Sequence, residues 1–74
     1  MKLSIVTPRD PEKTIEVSKV FLPGIDGSLE ILKDHAPLIT ALGCGDVRWD
    51  EDGVQHIESG FIEVCDNIIK VVAE

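Results

Sequence analysis

An all-β fold is predicted by two features of this 74-residue sequence. Nine Ile and eight Val outnumber six Leu and three Ala, and β-branched side chains fit the pleated surface of a sheet better than a helix. Gly and Pro recur about every ten residues, which leaves little room for a helix of ordinary length. The sequence therefore predicts one domain, residues 1–74, built as a sandwich or a barrel of short strands.

The first two predicted strands lie in the N-terminal third of the chain. Residues 3–6 form a short strand that Thr7-Pro8 ends. Residues 15–22 alternate partly between apolar and polar side chains until Pro23-Gly24 stops the pattern. Because the alternation is imperfect, a slip of one residue or a bulge is expected near Lys19.

Further strands and two hairpins are predicted in the rest of the chain. Residues 28–32 and 47–49 each place a pair of apolar side chains on one face, so each strand is predicted to be half buried. Asp52-Gly53 and Asp66-Asn67 stand between apolar segments, and Asp, Asn and Gly tolerate a positive φ. These positions therefore predict hairpin turns.

The charge and the apolar segments exclude several classes of partner. Fourteen acidic against seven basic residues give a formal charge of −7, so binding to nucleic acid or to an anionic membrane is not expected. No apolar run approaches the ~20 residues that span a bilayer, and the first strand ends too early for a signal peptide. Two cysteines do not make a disulfide framework. The chain is predicted to be cytosolic, with reduced thiols and no direct insertion into lipid.

Two short segments resemble ligand-binding loops but lack essential residues. Residues 23–27 are rich in glycine, yet a phosphate loop needs a Lys and a helix that begins there. A tight turn is predicted instead. Residues 50–53 resemble a calcium loop, but Arg48 stands where the first carboxylate ligand belongs. A charged hairpin tip is predicted at that place.

Neither a metal site nor a catalytic site is predicted. The soft metal ligands of the chain are His35, Cys44, His56 and Cys65. No pair among them has the close spacing typical of zinc sites, so no metal or other cofactor is expected. Asp34-His35 with Ser28 or Ser59 offers the residue types of a hydrolase triad, but no nucleophile elbow is present.

The three aromatic residues are Phe21, Trp49 and Phe61. A surface that stacks nucleic-acid bases needs several exposed rings beside basic residues. The three rings are therefore predicted to lie in the core, with Trp49 in the core or half buried. A partner-facing position of Trp49 is the alternative.

Residues 22–42 resemble the signature of the epsilon subunit of F-type ATP synthases. The shared residues are Leu-Pro-Gly at 22–24, Gly27, Ile31-Leu32 and the run His-Ala-Pro-Leu-Ile-Thr at 35–40. Residues 3–8 and 60–73 are similar to the first strand and the last hairpin of that family. The likeness covers nearly the whole chain in order.

This resemblance implies a flattened antiparallel β-sandwich of about ten short strands in two sheets. It also implies a non-catalytic rotor subunit of the central stalk of a proton- or sodium-translocating ATP synthase. Its partners would be the gamma subunit and the c-ring, at the cytoplasmic face of the membrane.

The resemblance further implies which residues meet these partners. The c-ring side falls on Ser28, Glu30, Asp34 and His35, and the gamma side includes Thr7. The two acidic residues would pair with basic loops of the ring. Lys33-Asp34 replaces a Pro-Gly that is frequent in the family, so this loop is expected to be less rigid.

Members of the family commonly continue into a C-terminal helical hairpin that in some of them binds ATP. Because the sequence stops at Glu74, where that hairpin would begin, neither helix insertion nor ATP binding is expected. Two alternatives remain open. One is a small β-sandwich adaptor that pairs through a sheet edge, and the other is a small metal-dependent enzyme that uses His35, His56 and the cysteines.

Overall fold

The computed structural model describes residues 1–74, and all of its regular elements are β-strands. The nine strands are β1 (Lys2–Val6), β2 (Lys13–Glu16), β3 (Lys19–Gly24), β4 (Gly27–Leu32), β5 (Leu38–Leu42), β6 (Gly45–Trp49), β7 (Gly53–Ile57), β8 (Gly60–Cys65) and β9 (Ile68–Ala73). The predicted all-β class is confirmed. The protein has no helix that could span a bilayer.

The strands form one curled sheet in the order β2-β1-β9-β8-β5-β3-β6-β7, with β4 paired to β3. We call β2-β1-β9-β8-β5 the first half and β4-β3-β6-β7 the second half. A single ladder pair, Gly24 opposite Leu42, joins the two halves. Because the sheet folds over at this junction, its halves face each other as the layers of a sandwich.

The hydrophobic core lies between the two halves and takes residues from both. The first half supplies Leu3, Ile5, Leu42, Ile62, Val64, Ile69, Val71 and Ala73, the second half supplies Val20, Leu22, Ile31, Val47 and Ile57, and Val17 comes from the segment between β2 and β3. On β8 and β9 buried and exposed residues alternate strictly from Phe61 onward. One face of each strand therefore points inward, and the other points outward.

The direction of one strand pair departs from the predicted antiparallel sandwich of about ten strands. β1 and β9 are parallel, with Leu3 opposite Ile69 and Ile5 opposite Val71. All the other pairs are antiparallel. The first and last strands of the chain meet without a hairpin between them, so no turn sets their relative direction.

The prediction of a single strand over residues 15–22 is wrong, because this segment is divided between two strands, β2 and β3. Between them Val17 is buried. The backbone amides of Ser18 and Lys19 donate to the Asp50 carboxylate oxygen Oδ1 at 2.8 and 3.3 Å. The chain passes here from the first half to the second half, so the break replaces the expected bulge.

The predicted turns are confirmed as hairpins. Residues 25–26 join β3 to β4, residues 50–52 join β6 to β7, and Asp66-Asn67 joins β8 to β9. Asp66 and Asn67 have φ values of 50° and 62°, which a two-residue type I′ turn requires. In the β6–β7 hairpin the half-buried Trp49 rests directly on Gly53, where a Cβ would lie 2.0 Å from the indole nitrogen.

Candidate partner-binding surfaces

An apolar surface lies on the outer face of the first half. The strand register places Val6, Val72, Phe61 and Ala41 side by side on β1, β9, β8 and β5. We call these four residues the apolar row. Phe61 is 62% exposed and Val72 is 51% exposed. An apolar surface that continues across several strands is typical of an interaction site, whereas single exposed apolar residues are ordinary.

A groove of about 620 Å³ runs along the apolar row. Thr7 and Pro8, which follow β1, are part of its lining. Thr7 Oγ1 accepts a hydrogen bond from the amide of Asp10 at 3.1 Å, so this segment is held in a turn. The residue that the family resemblance implies for the gamma side therefore lies beside the apolar row.

The prediction that Phe61 lies in the core is wrong. On β8 the buried residues are Ile62 and Val64, so Phe61 points outward together with Glu63. Phe21 is also exposed, at 37%, on β3. The period-two alternation of a strand, applied to β8, is the sequence signal that identifies Phe61 as an outer residue.

The residues implied for the c-ring side lie along one edge of the second half. Ser28 and Glu30 are exposed on β4, which pairs only with β3 and is therefore an edge strand. Asp34 and His35 lie in the connection that follows β4. The structure thus arranges the four residues in chain order along this strand and its loop.

The connection that carries Asp34 is attached to the β8–β9 turn. The Asp34 amide donates to Asn67 Oδ1 at 2.7 Å, and Asn67 Nδ2 donates to Asp34 Oδ1 at 3.0 Å. Asp34 has a φ of 64°, a left-handed conformation that Asp accepts more readily than most residues. This pair of hydrogen bonds joins the Asp34 loop to the β8–β9 turn.

A cluster of titratable side chains lies at the base of the β6–β7 hairpin. This hairpin-base cluster consists of Cys44, Asp46, His56 and Glu58. The hydrogen bond to Glu58 raises the pKa of the Cys44 thiol. The hydrogen bond to Asp46, with a weaker one to Glu58, raises the pKa of His56. Hydrogen bonds from Cys44 and His56 lower the pKa of Glu58.

The hairpin-base cluster includes only part of the soft ligand set found in the sequence. Cys44 and His56 lie in it, whereas Cys65 ends β8 and His35 follows Asp34. Asp34 is hydrogen-bonded to the β8–β9 turn. His35 and Cys65 therefore lie at the end of the molecule that carries the β8–β9 turn, away from the hairpin base.

Residues 1–74 match the family described as ATP synthase, delta/epsilon chain, beta-sandwich domain. The chain belongs to this family. The resemblance of residues 22–42 to the epsilon signature is confirmed by a match that extends over the whole chain.

Curated relatives within the family are epsilon chains. The ATP synthase epsilon chain of Symbiobacterium thermophilum is 40% identical over 100% of this chain and 56% of its own length. That of Chlorobium limicola is 48% identical over 89% of this chain and 80% of its own length. That of Pelotomaculum thermopropionicum is 40% identical over 97% of this chain and 56% of its own length. The chain therefore spans little more than half of the length of two of these relatives.

Solved structures with the same fold are parts of mitochondrial ATP synthases. A chain in the central stalk and c-ring structure from Tetrahymena thermophila has a TM-score of 0.81 at 17% identity, covering 97% of this chain and 61% of that chain. A chain in the structure of OSCP, F1 and c-ring from Euglena gracilis has a TM-score of 0.80 at 19% identity, covering 96% of this chain and 48% of that chain. At these identities the likeness establishes the shared sandwich fold.

Proposed function

We propose that this chain is the β-sandwich of an epsilon subunit that works as a non-catalytic rotor part in the central stalk of a proton- or sodium-translocating ATP synthase. The observation that carries the proposal is the separation of two surfaces on one stiff body. The apolar row is on the first half, and the residues implied for the c-ring are on the edge of the second half. A close-packed sandwich between two partners transmits rotation without large deformation.

The apolar row is the proposed gamma-binding surface. Its central residues Phe61 and Val72 are more than half exposed, so they have apolar area to bury against a partner. Thr7 lies in the same groove, which agrees with the position implied by the family resemblance. A buried aromatic residue at the centre of an interface commonly carries much of the binding energy, so Phe61 is the proposed anchor.

The edge formed by β4 and the following loop is the proposed c-ring side. Glu30 and Asp34 supply exposed negative charge, and the Asn67 hydrogen bonds fix the direction of the Asp34 loop. Basic loops on the ring would be attracted to this edge, and salt would weaken that attraction. His35 is half buried beside it, with Nδ1 2.7 Å from the Ala36 carbonyl oxygen.

Residues 1–74 act in this proposal as one unit held at the cytoplasmic face of the membrane through its protein partners. The glycine-rich residues 23–27 contain a hairpin turn between β3 and β4 and not a phosphate loop. We therefore propose that this unit alone does not bind ATP.

Binding of purified gamma subunit, measured by calorimetry, tests the gamma surface with two matched aromatic variants. Phe61→Ser removes the proposed anchor, and Phe21→Ser removes an exposed ring from the second half. We expect Phe61→Ser to weaken binding by about 30-fold, the equivalent of a ~2 kcal/mol anchor, and Phe21→Ser to bind as wild type. Equal effects of the two variants, or no binding of wild type, would contradict the proposal.

Binding to detergent-solubilised c-ring tests the other side. Glu30→Gln removes a charge from β4, and Glu63→Gln removes one from the outer face of the first half. We expect Glu30→Gln to weaken binding about 2- to 5-fold at low ionic strength, as is typical of an exposed ion pair, and Glu63→Gln to have no effect. The difference should disappear near 1 M salt, where the Debye length is about 3 Å. Wild-type binding by Glu30→Gln at low salt would assign the ring to another surface.

A further inference from the structure

Three side chains of the hairpin-base cluster bring their metal-binding atoms together. Cys44 Sγ lies 3.1 Å from Glu58 Oε2 and 3.9 Å from His56 Nε2. The His56 Nε2 atom lies 3.4 Å from Glu58 Oε2. All three side chains are exposed, so an ion reaches them from solvent without any opening of the core. Thiolate sulfur, imidazole nitrogen and carboxylate oxygen are donors of zinc sites in proteins.

The register of the β6–β7 hairpin creates this convergence. Asp46 is opposite His56 in the antiparallel ladder. Continuing the same register beyond the ladder places Cys44 opposite Glu58. Residues two apart on a strand point to the same face, so both pairs project from the outer face of the second half. The sequence pattern of this site is Cys-x-Asp on one strand paired with His-x-Glu on the next. A search for metal ligands close together along the chain does not detect it.

The backbone next to the two outlying ligands is hydrogen-bonded. The amide of Gly43, which precedes Cys44, donates to the Pro23 carbonyl at 2.8 Å. The amide of Glu58 donates to the Glu74 carbonyl at 2.7 Å. Because both ligands sit on anchored segments, little backbone freedom remains to be lost when an ion binds.

The distances between the ligand atoms fit a tetrahedral zinc ion. Zinc bonds of about 2.3 Å to sulfur and about 2.0–2.2 Å to nitrogen and oxygen place neighbouring ligand atoms about 3.4–3.6 Å apart. The sulfur–oxygen distance of 3.1 Å is shorter than this range, the sulfur–nitrogen distance of 3.9 Å is longer, and the nitrogen–oxygen distance of 3.4 Å falls within it. Small side-chain rotations therefore complete the geometry. His56 Nδ1 donates to Asp46 Oδ1 at 3.0 Å, so the ring presents its other nitrogen, Nε2, to the ion in place of the present contact of Nε2 with Glu58. A carboxylate on the far nitrogen is the usual partner of a zinc-bound histidine.

We propose that Cys44, His56 and Glu58 bind one zinc ion, with water in the fourth position and Asp46 orienting His56. The sulfur and nitrogen donors disfavour calcium and magnesium, which prefer oxygen. On binding, the Cys44 sulfur and His56 Nε2 form bonds to zinc in place of their hydrogen bonds to Glu58. The thiol proton and the Nε2 proton of the charged imidazole are released to solvent. The ion joins the segment before β6 to the connection after β7. It stabilises the folded chain because the unfolded chain does not hold the three ligands together.

The chain offers a matched control for each soft ligand, since it has two cysteines and two histidines. The untagged, metal-free full chain is titrated with Zn²⁺ against a chromophoric chelator, and with Co²⁺, whose tetrahedral thiolate complexes absorb strongly. We expect one ion per chain and a thiolate-to-cobalt charge-transfer band. Cys44→Ser and His56→Gln should each weaken binding by more than about 100-fold, whereas Cys65→Ser and His35→Gln should keep wild-type affinity.

The Asp46→Asn variant isolates the positioning residue. It should weaken zinc binding by about 10- to 100-fold and still show the charge-transfer band, because the sulfur ligand remains. Thermal unfolding without metal checks that every variant is folded, and added zinc should raise the melting temperature of wild type but not of Cys44→Ser.

Three results would overturn the zinc site. They are the absence of a one-to-one complex at micromolar zinc, a cobalt spectrum without the thiolate band, and a loss of affinity in Cys65→Ser as large as that in Cys44→Ser.

Discussion

The outer faces of the two halves share a strand geometry but differ in chemistry. On the first half Val72 lies between Val6 and Phe61 in the apolar row. On the second half Val54 lies opposite the charged Arg48. These two valines are 51% and 52% exposed. The two valines are equally exposed, but Val72 has apolar neighbours and Val54 has a charged one. Of these two surroundings, only the apolar row offers a partner an extended apolar surface.

The inner faces explain why this difference is possible. Ile62 on β8 and Val47 on β6 are both fully buried in the common core, and every core residue of either half is apolar. Outward positions do not pack in the core and are free to vary. One outer face is therefore suited to an apolar partner, while the other carries the polar hairpin-base cluster.

The largest expected change in the free energy of unfolding comes from substitutions that compare an inner with an outer position of β8. Ile62→Ala should lower the free energy of unfolding by about 2–5 kcal/mol because it leaves a cavity in the core. Phe61→Ser should change it by no more than about 0.5 kcal/mol because that ring is largely exposed. Urea unfolding measures both.

Ile62→Val, with an expected loss of about 0.5–1.5 kcal/mol, keeps the comparison measurable if the alanine variant does not fold. A Phe61→Ser variant as unstable as Ile62→Ala would mean that Phe61 belongs to the core.

A smaller loss of stability is expected when glycines of the two halves are replaced by alanine. A Cβ at Gly60 would lie 2.4 Å from the Val72 carbonyl oxygen, so Gly60→Ala must shift the backbone of β9. We expect a loss of about 1–3 kcal/mol, the usual cost of overpacking. Gly53→Ala should cost less, because the atoms it meets belong to the Trp49 side chain, which is only half buried.

Gly43→Ala is the control for this pair, since its nearest contact would be 3.9 Å away. Thermal or urea unfolding should find it within about 0.5 kcal/mol of wild type. A Gly43→Ala variant as unstable as Gly60→Ala would show that close packing at β9 is not the cause.

The smallest expected effect is the pH dependence of the ion pair between His56 and Asp46. This partner raises the pKa of His56 above its ordinary value of 6.5, so the folded state favours the charged imidazole. The resulting stabilisation is fully present below pH 6.5 and declines as the pH rises through the raised pKa of His56. Its size is small because both side chains are substantially exposed.

NMR titration of the His56 imidazole in the presence of a chelator measures this shift. Asp46→Asn should lower the pKa of His56 toward its ordinary value, because the main partner of the charged ring is removed. An identical titration in wild type and Asp46→Asn would rule out the hydrogen bond as the cause.

Local features of the fold could be predicted from the sequence because they depend on neighbouring residues. Asp66-Asn67 predicted its hairpin, since both residues tolerate the positive φ of that turn. The parallel pairing of β1 with β9 and the break at Val17 depend on contacts between distant segments. Alternation along the chain carries no information about which strand lies beside another.

The candidate sites also differ in whether neighbouring residues or distant segments determine them. The alternation of side chains along β8 is enough to place Phe61 on an outer face. The three aromatic residues are too few for a base-stacking surface, but that argument does not show that each ring lies in the core. The approach of Cys44 to Glu58 depends on the register of a hairpin and on two anchored loops. A one-residue change of register would separate these side chains, so sequence spacing alone does not reveal them.

The matched valines provide the most direct test of the proposed role. Val72→Ser and Val54→Ser change the same side chain at nearly the same exposure, 51% and 52%, on opposite halves. Affinity for purified gamma subunit should fall about 10-fold in Val72→Ser, the effect of losing ~1.4 kcal/mol of apolar contact, and should stay at the wild-type value in Val54→Ser. Wild-type affinity in Val72→Ser, or a loss confined to Val54→Ser, would contradict the assignment of the apolar row to gamma.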